Sequence, residues 1–303
     1  WAIYVTPTKG VPRAVLAIWF ALIGASTLFC WQHHIIDVIT GQMLGLACLW
    51  LFPSIPFPRT KTSPEERINS CPRLAWRYGL GALALVVLAV LGWPGSVLVL
   101  WPAISLLMVS LAYAGGGPSL MRKRDGQQLP STRWLIAPYR WFAGLTARYF
   151  NANHPPYFQL GAGHEGLHFG RRLDQAEAEA MPVAAVLDLT AEYDEVPAFR
   201  KRQYRNIGIL DLTLPSLDQL AEAVEFLRTH PSCYVHCSLG LGRTSLVAAA
   251  YLVAADGLSP EQAIAEVQRC QPRVRLAHGA AHILAVFAKS VASERPRNGR
   301  NLS

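Results

Sequence analysis

The chain has 303 residues, of which 51% are hydrophobic and only 16% charged, with a mean hydropathy of +0.22 and a formal net charge of +8. Soluble domains usually carry about a quarter charged residues, so this composition excludes a disordered chain and argues against a basic nucleic-acid-binding domain. The charge is also segregated: residues 1–115 hold 7 basic and 3 acidic side chains, 116–150 hold 6 and 1, and 151–303 hold 15 and 16. An apolar, lipid-contacting half is therefore expected, followed by a near-neutral soluble half, with no nucleic acid as partner.

The chain begins at Trp1 without a charged n-region and small-residue cleavage site, so a signal peptide is not expected and a preceding segment is. Four apolar runs follow: Ala14–Trp31, Ile35–Phe52, Tyr78–Leu91 and Ser96–Ala114. Each approaches the roughly 20 residues that an α-helix needs to cross a bilayer, and four spans are expected. Lys9 and Arg13 precede the first run, while Arg59, Lys61, Arg67, Arg73 and Arg77 lie between the second and third. The turns after the first and third runs have no basic residue, and Arg122-Lys123-Arg124 follows the fourth. The positive-inside rule puts both ends and the middle loop in the cytoplasm, an inner-membrane arrangement with a cytoplasmic soluble half. Six cysteines without a paired spacing fit thiols in that compartment.

Residues 116–155 combine the basic run with Trp134, Tyr139, Trp141, Phe142, Tyr149 and Phe150. They suit a juxtamembrane segment with basic groups at anionic headgroups and rings at the interface, or a linker packed on the next domain. Between the first two runs, His33 precedes Asp37 by one helical turn, a spacing at which the carboxylate can orient the imidazole. This pair resembles the third motif of the phosphatidic acid phosphatase type 2 superfamily. That resemblance implies a nucleophilic His33 oriented by Asp37. Thr27 stands where the family has a phosphate-binding arginine, and its other motifs are missing, so residues 1–115 are expected to be a partial, degenerate module.

The strongest chemical signal is His236-Cys237-Ser238-Leu239-Gly240-Leu241-Gly242-Arg243-Thr244. Ser232–His236 reads as a buried strand and Ser245–Ala255 as a helix. A strand, a glycine-containing loop and a helix N-terminus make an anion cradle from the backbone N–H groups of Ser238, Leu239, Gly240, Leu241 and Gly242. Cys237 suits a nucleophilic thiolate, and Arg243 suits a bidentate grip on phosphate oxygens. Thr244 is placed to hydrogen-bond the leaving thiolate, and His236 to shape the loop through backbone contacts rather than act as base. This pattern resembles the cysteine-dependent protein tyrosine phosphatase superfamily, in its dual-specificity branch, over most of 161–292. The resemblance implies an α/β domain at 156–292, a phosphocysteine intermediate and no metal or other cofactor. It also implies a general acid, for which Asp211, at a strand end, is preferred over Asp218 in a first helical turn capped by Ser216.

Leu187–Glu195, with Glu192, Asp194 and Glu195, resembles the acidic–aromatic loop of the mitochondrial phosphatidylglycerophosphate phosphatase, a lipid-directed member of this branch. These carboxylates are expected either to orient Arg243 or Arg200, Arg202 and Arg205, or to form a solvated turn. Gly161–Gly166 satisfies G-x-G-x-x-G but reads as a turn between short strands. Cys233 and Cys270 are expected to be inert buried thiols, or else protective disulfide partners of Cys237. Arg171, Arg172, Arg273 and Arg275 are candidates for lining the site, and residues 293–303 for a disordered tail. The fold expected is a helical membrane region of about four spans joined to an α/β phosphatase domain. The substrate expected is a phosphorylated lipid, with a phosphoprotein, or phosphate binding without turnover, as alternatives.

Overall fold

A computed structural model describes residues 11–29, 35–52, 70–92 and 98–294. Two compact units form, one from Trp1–Arg59, Trp76–Ser110 and Leu129–Tyr139, the other from Thr60–Ala75, Leu111–Gln128 and Arg140–Ser303.

The first unit is helical: α1 (Val11–Phe29), α2 (Ile35–Leu51), most of α3 (Pro72–Leu91), most of α4 (Leu100–Leu111) and α5 (Pro130–Leu135). Helices thus stand where four spans were expected, but among the described residues only α3 is long and apolar enough to cross a membrane. Its 20 residues reach about 30 Å at the helical rise. Helix α2 stops after 17 residues, two before Pro53, because the residue before a proline avoids helical angles. Helix α4 ends in a π-helical turn, Ala112–Gly116, where Gly115 takes φ +122°. A Cβ on Gly79 would lie 3.2 Å from Ser110 Oγ and one on Gly81 3.1 Å from Leu106, so small residues let α3 and α4 approach closely. Trp101 Nε1 donates to the Trp134 carbonyl at 2.9 Å, fastening α5 to α4.

The second unit is an α/β layer structure. Its sheet runs β3 (Tyr157–Gln159), β4 (Leu167–Arg171), β7 (Cys233–Cys237), β5 (Ala185–Thr190), β6 (Gln203–Ile209) in spatial order, parallel except for the β3–β4 hairpin. The G-x-G-x-x-G stretch forms the turn of that hairpin. Helices α7 (Gln175–Ala180), α8 (Pro197–Arg200), α9 (Leu217–Thr229), α10 (Arg243–Ala255), α11 (Pro260–Cys270) and α12 (Ala280–Glu294) complete the layers, after α6 (Ala137–Asn151) at the unit's start. Capping boxes start α7, α9 and α11, from Asp174, Ser216 and Ser259.

Strands β5 and β7 are buried on both faces, and their alternation sorts the side chains. Leu187, Leu189, Val235 and Cys237 join the main core with Leu246, Val247 and Ala250 of α10. Val186 and Tyr234 face the other way, into a smaller cluster with Phe199, Met181 and Leu173. Residues 295–303, including most of the expected tail, lie outside the described residues.

Residues 111–128, which the sequence reading divides between the membrane region and the juxtamembrane segment, cluster with the second unit. A two-residue ribbon, β1 (Lys123–Arg124) with β2 (Gln127–Gln128), carries Lys123 inside, where its side chain is only 3% exposed. Its Nζ lies 2.5 Å from Asp188 Oδ2 and donates to Thr190 O and Oγ1 at 3.0 Å. A headgroup role for this lysine is therefore excluded by its burial. Lys123→Met is expected to destabilise the protein by about 3–5 kcal/mol, because it strands the buried Asp188 carboxylate. Urea unfolding of the full chain reads this out, and adding Asp188→Asn should recover part of the loss.

Candidate active site

Strand β7 ends at Cys237, beside Arg171 of β4 in register, and α10 starts at Arg243. The intervening loop turns tightly. Gly240 takes φ +73°, and a Cβ there would lie 2.5 Å from the Gly170 carbonyl carbon, so only glycine fits. Two loop carbonyls are engaged from outside: Ser238 O accepts from Arg172 N at 3.3 Å and Leu241 O from Arg275 N at 2.9 Å. The N-cap of α10 is Gly242, with no side-chain cap, which leaves the helix N-terminal N–H groups for an anion. Gly240 N donates to Cys237 Sγ at 3.2 Å, a contact that favours sulfur carrying charge.

Arg243 is buried, its side chain 2% exposed. Glu192 grips it with both oxygens, at 2.9 Å from Nη2 and 3.2 Å from Nη1, and Nη1 also donates to Ile209 O at 2.7 Å. Asp211 Oδ1 lies 3.3 Å from Nη2. Burial opposes the guanidinium charge, but Glu192, Asp211 and Cys237 outweigh it and hold the pKa well above its ordinary value. Arg243 Nε has no protein acceptor among the described residues. The group is therefore fixed in plane with a donor to spare, which suits phosphate oxygens.

The structure brings Cys237, Arg243 and Asp211 together. Asp218 stands exposed in the first turn of α9 and makes no such approach to Arg243. Thr244 Oγ1 donates to Gly170 O at 3.3 Å, binding the loop to β4 rather than to sulfur. His236 lies on the face of the sheet opposite Cys237 and is fully buried. Its expected backbone role is replaced by an ion pair, Nε2 to Glu195 Oε2 at 2.8 Å. Beside it lies Asp188, its register partner in β5, which accepts from Tyr204 at 2.6 Å and from Lys123. Burial pushes the His236 pKa down, but the Glu195 and Asp188 charges prevail and raise it; for Asp188, Lys123 and His236 overcome burial and lower it. Asp188, Glu195 and His236 are spaced as metal ligands are. Lys123 already supplies the cation there, and a metal ion would have to expel it.

The loop after β5 is no solvated turn. Glu192 holds Arg243, Asp194 accepts from Gln128 N at 2.7 Å and pairs with Arg140 at 3.3 Å, and Glu195 serves His236. Arg200, Arg202 and Arg205 are engaged elsewhere, at Glu195 O, at the carbonyls of Met181 and Ala178, and at Glu222. Tyr193 is flanked by the Arg172 and Arg140 guanidiniums at 5.3 and 5.8 Å from its ring centre, and burial pushes its hydroxyl up to about 12. Arg171 is spent on Glu177, and Arg273 on the Phe150 carbonyl.

Tyr113, in the π-helical turn, was not visible as a site residue. Its hydroxyl donates to the Asp211 carbonyl at 3.0 Å, fixing one end of the loop whose next residue, Leu212, is exposed at φ +58°. Cys233 is buried with its thiol pushed up to about 12. Four residues of strand put it about 13 Å from Cys237, beyond disulfide reach. Of the expected membrane pair, His33 lies outside the described residues and Asp37 is exposed on α2.

A buried cysteine at a strand end, an anion-binding loop and a clamped arginine define a cysteine-dependent phosphatase of the dual-specificity type, a phosphoric monoester hydrolase. A family model described as "Polymorphic toxin system, DSP-PTPase phosphatase" matches residues 174–257. Phosphatidylglycerophosphatase and protein-tyrosine phosphatase 1 of Rattus norvegicus is 27% identical over 129 residues, covering 38% of this chain and 67% of that protein. The protein of the same name from Homo sapiens is 25% identical over 130 residues, with 39% and 65% covered. Phosphatidylglycerophosphate phosphatase PTPMT1 of Arabidopsis thaliana is 31% identical over 114 residues, 34% of each chain. A crystal structure of PTPMT1 in complex with PI(5)P aligns at 18% identity and a TM-score of 0.42, covering 46% of this chain and 98% of that one.

Cys237→Ser is expected to abolish turnover of an aryl phosphate, and Asp211→Asn to lower kcat by about 100-fold; equal rates in wild type and Cys237→Ser would refute the assignment. A pH dependence of stability follows from His236. Because its native pKa lies above the ordinary 6.5, its contribution is complete below that pH and is lost as pH rises through the raised native value. Thermal midpoints should fall on that alkaline side, and Glu195→Gln should flatten the fall.

Proposed function

We propose that the chain is a membrane-associated phosphatase acting on the phosphate monoester of an anionic phospholipid, phosphatidylglycerophosphate or a phosphoinositide. The observation that carries this reading is the grip of Glu192 on Arg243. It makes the acidic–aromatic loop part of the phosphate site, and that loop is where the sequence resembles a lipid-directed phosphatase. The lipid relatives named above support the same substrate class.

In this mechanism Cys237 attacks phosphorus in line with the ester oxygen while Arg243 and the loop N–H groups hold the equatorial oxygens. Asp211 gives its proton to the departing alcohol. The S–P bond of the phosphocysteine then breaks as water attacks phosphorus, Asp211 takes the water's proton, and Cys237 leaves as thiolate. The 3.3 Å approach of Asp211 to Arg243 must open for the ester to enter. Tyr113 tethers the backbone of Asp211 and leaves its carboxylate free to move. Helix α3, which among the described residues is long and apolar enough to cross a membrane, supplies the anchor.

A phosphotyrosine substrate is the second reading, favoured by the protein-tyrosine phosphatase half of the mammalian relatives' name. Turnover by the full chain should be compared on vesicles holding phosphatidylglycerophosphate or phosphoinositides and on phosphotyrosine peptides. Higher kcat/KM on a lipid is the expected result; turnover of peptides alone would overturn the proposal in favour of the second reading.

A further inference from the structure

Helix α6 is amphipathic in the inverse sense. Arg140, Ala143, Gly144, Ala147 and Asn151, spaced along one face, are half-buried, whereas Trp141, Phe142, Leu145, Tyr149 and Phe150 are exposed. Trp141 and Phe142 are each 62% exposed and Tyr149 is 81% exposed. An ordinary surface helix buries its large apolar side chains and shows its small and polar ones, so this face is built to be covered.

Composition indicates the cover. No acidic residue occurs between Asp125 and Glu165, while Arg148 is exposed within the aromatic face. Trp and Tyr with arginine and no carboxylate is the make-up of a bilayer interface, where rings sit at the headgroup level and cations meet anionic lipid. The same chain carries the 20-residue apolar helix α3. A second copy of this chain would bring another Arg148 to the same face, like charge against like.

The helix is also tied to the catalytic loop. Phe150 O accepts from Arg273 Nη2 at 2.7 Å, and two residues on, Arg275 N donates to Leu241 O at 2.9 Å. A Cβ on Gly242 would lie 3.0 Å from Arg275 O.

We infer that the outer face of α6 lies in the headgroup region of an anionic bilayer and, through Arg273 and Arg275, sets the height of the Cys237 loop above it. The height part rests on the lipid-phosphate reading; the membrane contact does not.

The test uses the full chain reconstituted in vesicles of zwitterionic and anionic phospholipid. The tryptophan emission that disappears in Trp141→Phe isolates that ring. Brominated lipids should quench this share by about half or more, as for an interfacial ring. The combined variant Phe142→Gln, Leu145→Gln, Tyr149→Gln should raise KM for vesicle-borne phospholipid by about tenfold, with aryl phosphate kinetics held within about twofold. Quenching of the Trp141 share by aqueous iodide and not by brominated lipid would overturn the inference. So would shielding from both quenchers that is lost on dilution, since that means a second copy covers the face. Lipid quenching without any lipid hydrolysis would uphold the contact and sink the substrate reading instead.

Discussion

Asp188 and Glu195 are enclosed on one face of the sheet, where isolated carboxylates would be expelled or protonated. They stay because Lys123 and His236 are enclosed with them, the ammonium against Asp188 and the imidazole against Glu195. The four residues come from the β1–β2 ribbon, strand β5, the loop that follows it, and strand β7. Satisfying them therefore fixes those elements against one another. Strand alternation then does the rest, because with His236 held on one face Cys237 must emerge on the other, at the mouth of the phosphate loop. Cys237 is thus positioned by charged groups on the opposite face of the sheet.

A second constraint radiates from Arg243. Glu192 and the Ile209 carbonyl hold the guanidinium before any phosphate arrives, so it need not be ordered at the moment of binding. Asp211 sits beside it on a loop fastened at Tyr113. The segment that leads out of α4 therefore supports the site twice, through Tyr113 at Asp211 and through Lys123 on the far face of the sheet from Cys237. A fragment cut at residue 150 would lose both, which makes residues 111–128 part of the catalytic unit rather than a tether.

On the phospholipid reading proposed above, the loop must be held at the depth where the phosphate lies. Here the chain leaving α4 is built into the catalytic unit. The neighbouring helix α6 shows aromatic rings outward and is bonded to the loop that abuts Gly242.

The sequence by itself determined the chemistry. Cys237, the glycines and Arg243 must be contiguous to make an anion cradle, so their spacing is legible without a fold, as was the Ser216 cap of α9. The buried strand β7, the helix α10 that follows it and the apolar helices could be read for the same reason, since local periodicity records them. Tertiary structure alone decided the long-range pairs. Lys123 sits in a basic run indistinguishable from a headgroup cluster, and only the ribbon that folds it inward, 65 residues from Asp188, gives it another partner. Tyr113 reaches Asp211 across 98 residues. Glu192, Asp194 and Glu195 are neighbours in sequence but serve an arginine, a backbone amide with a second arginine, and a histidine. Which carboxylate meets which cation is fixed by strand register and loop path, and a linear pattern of charges carries neither.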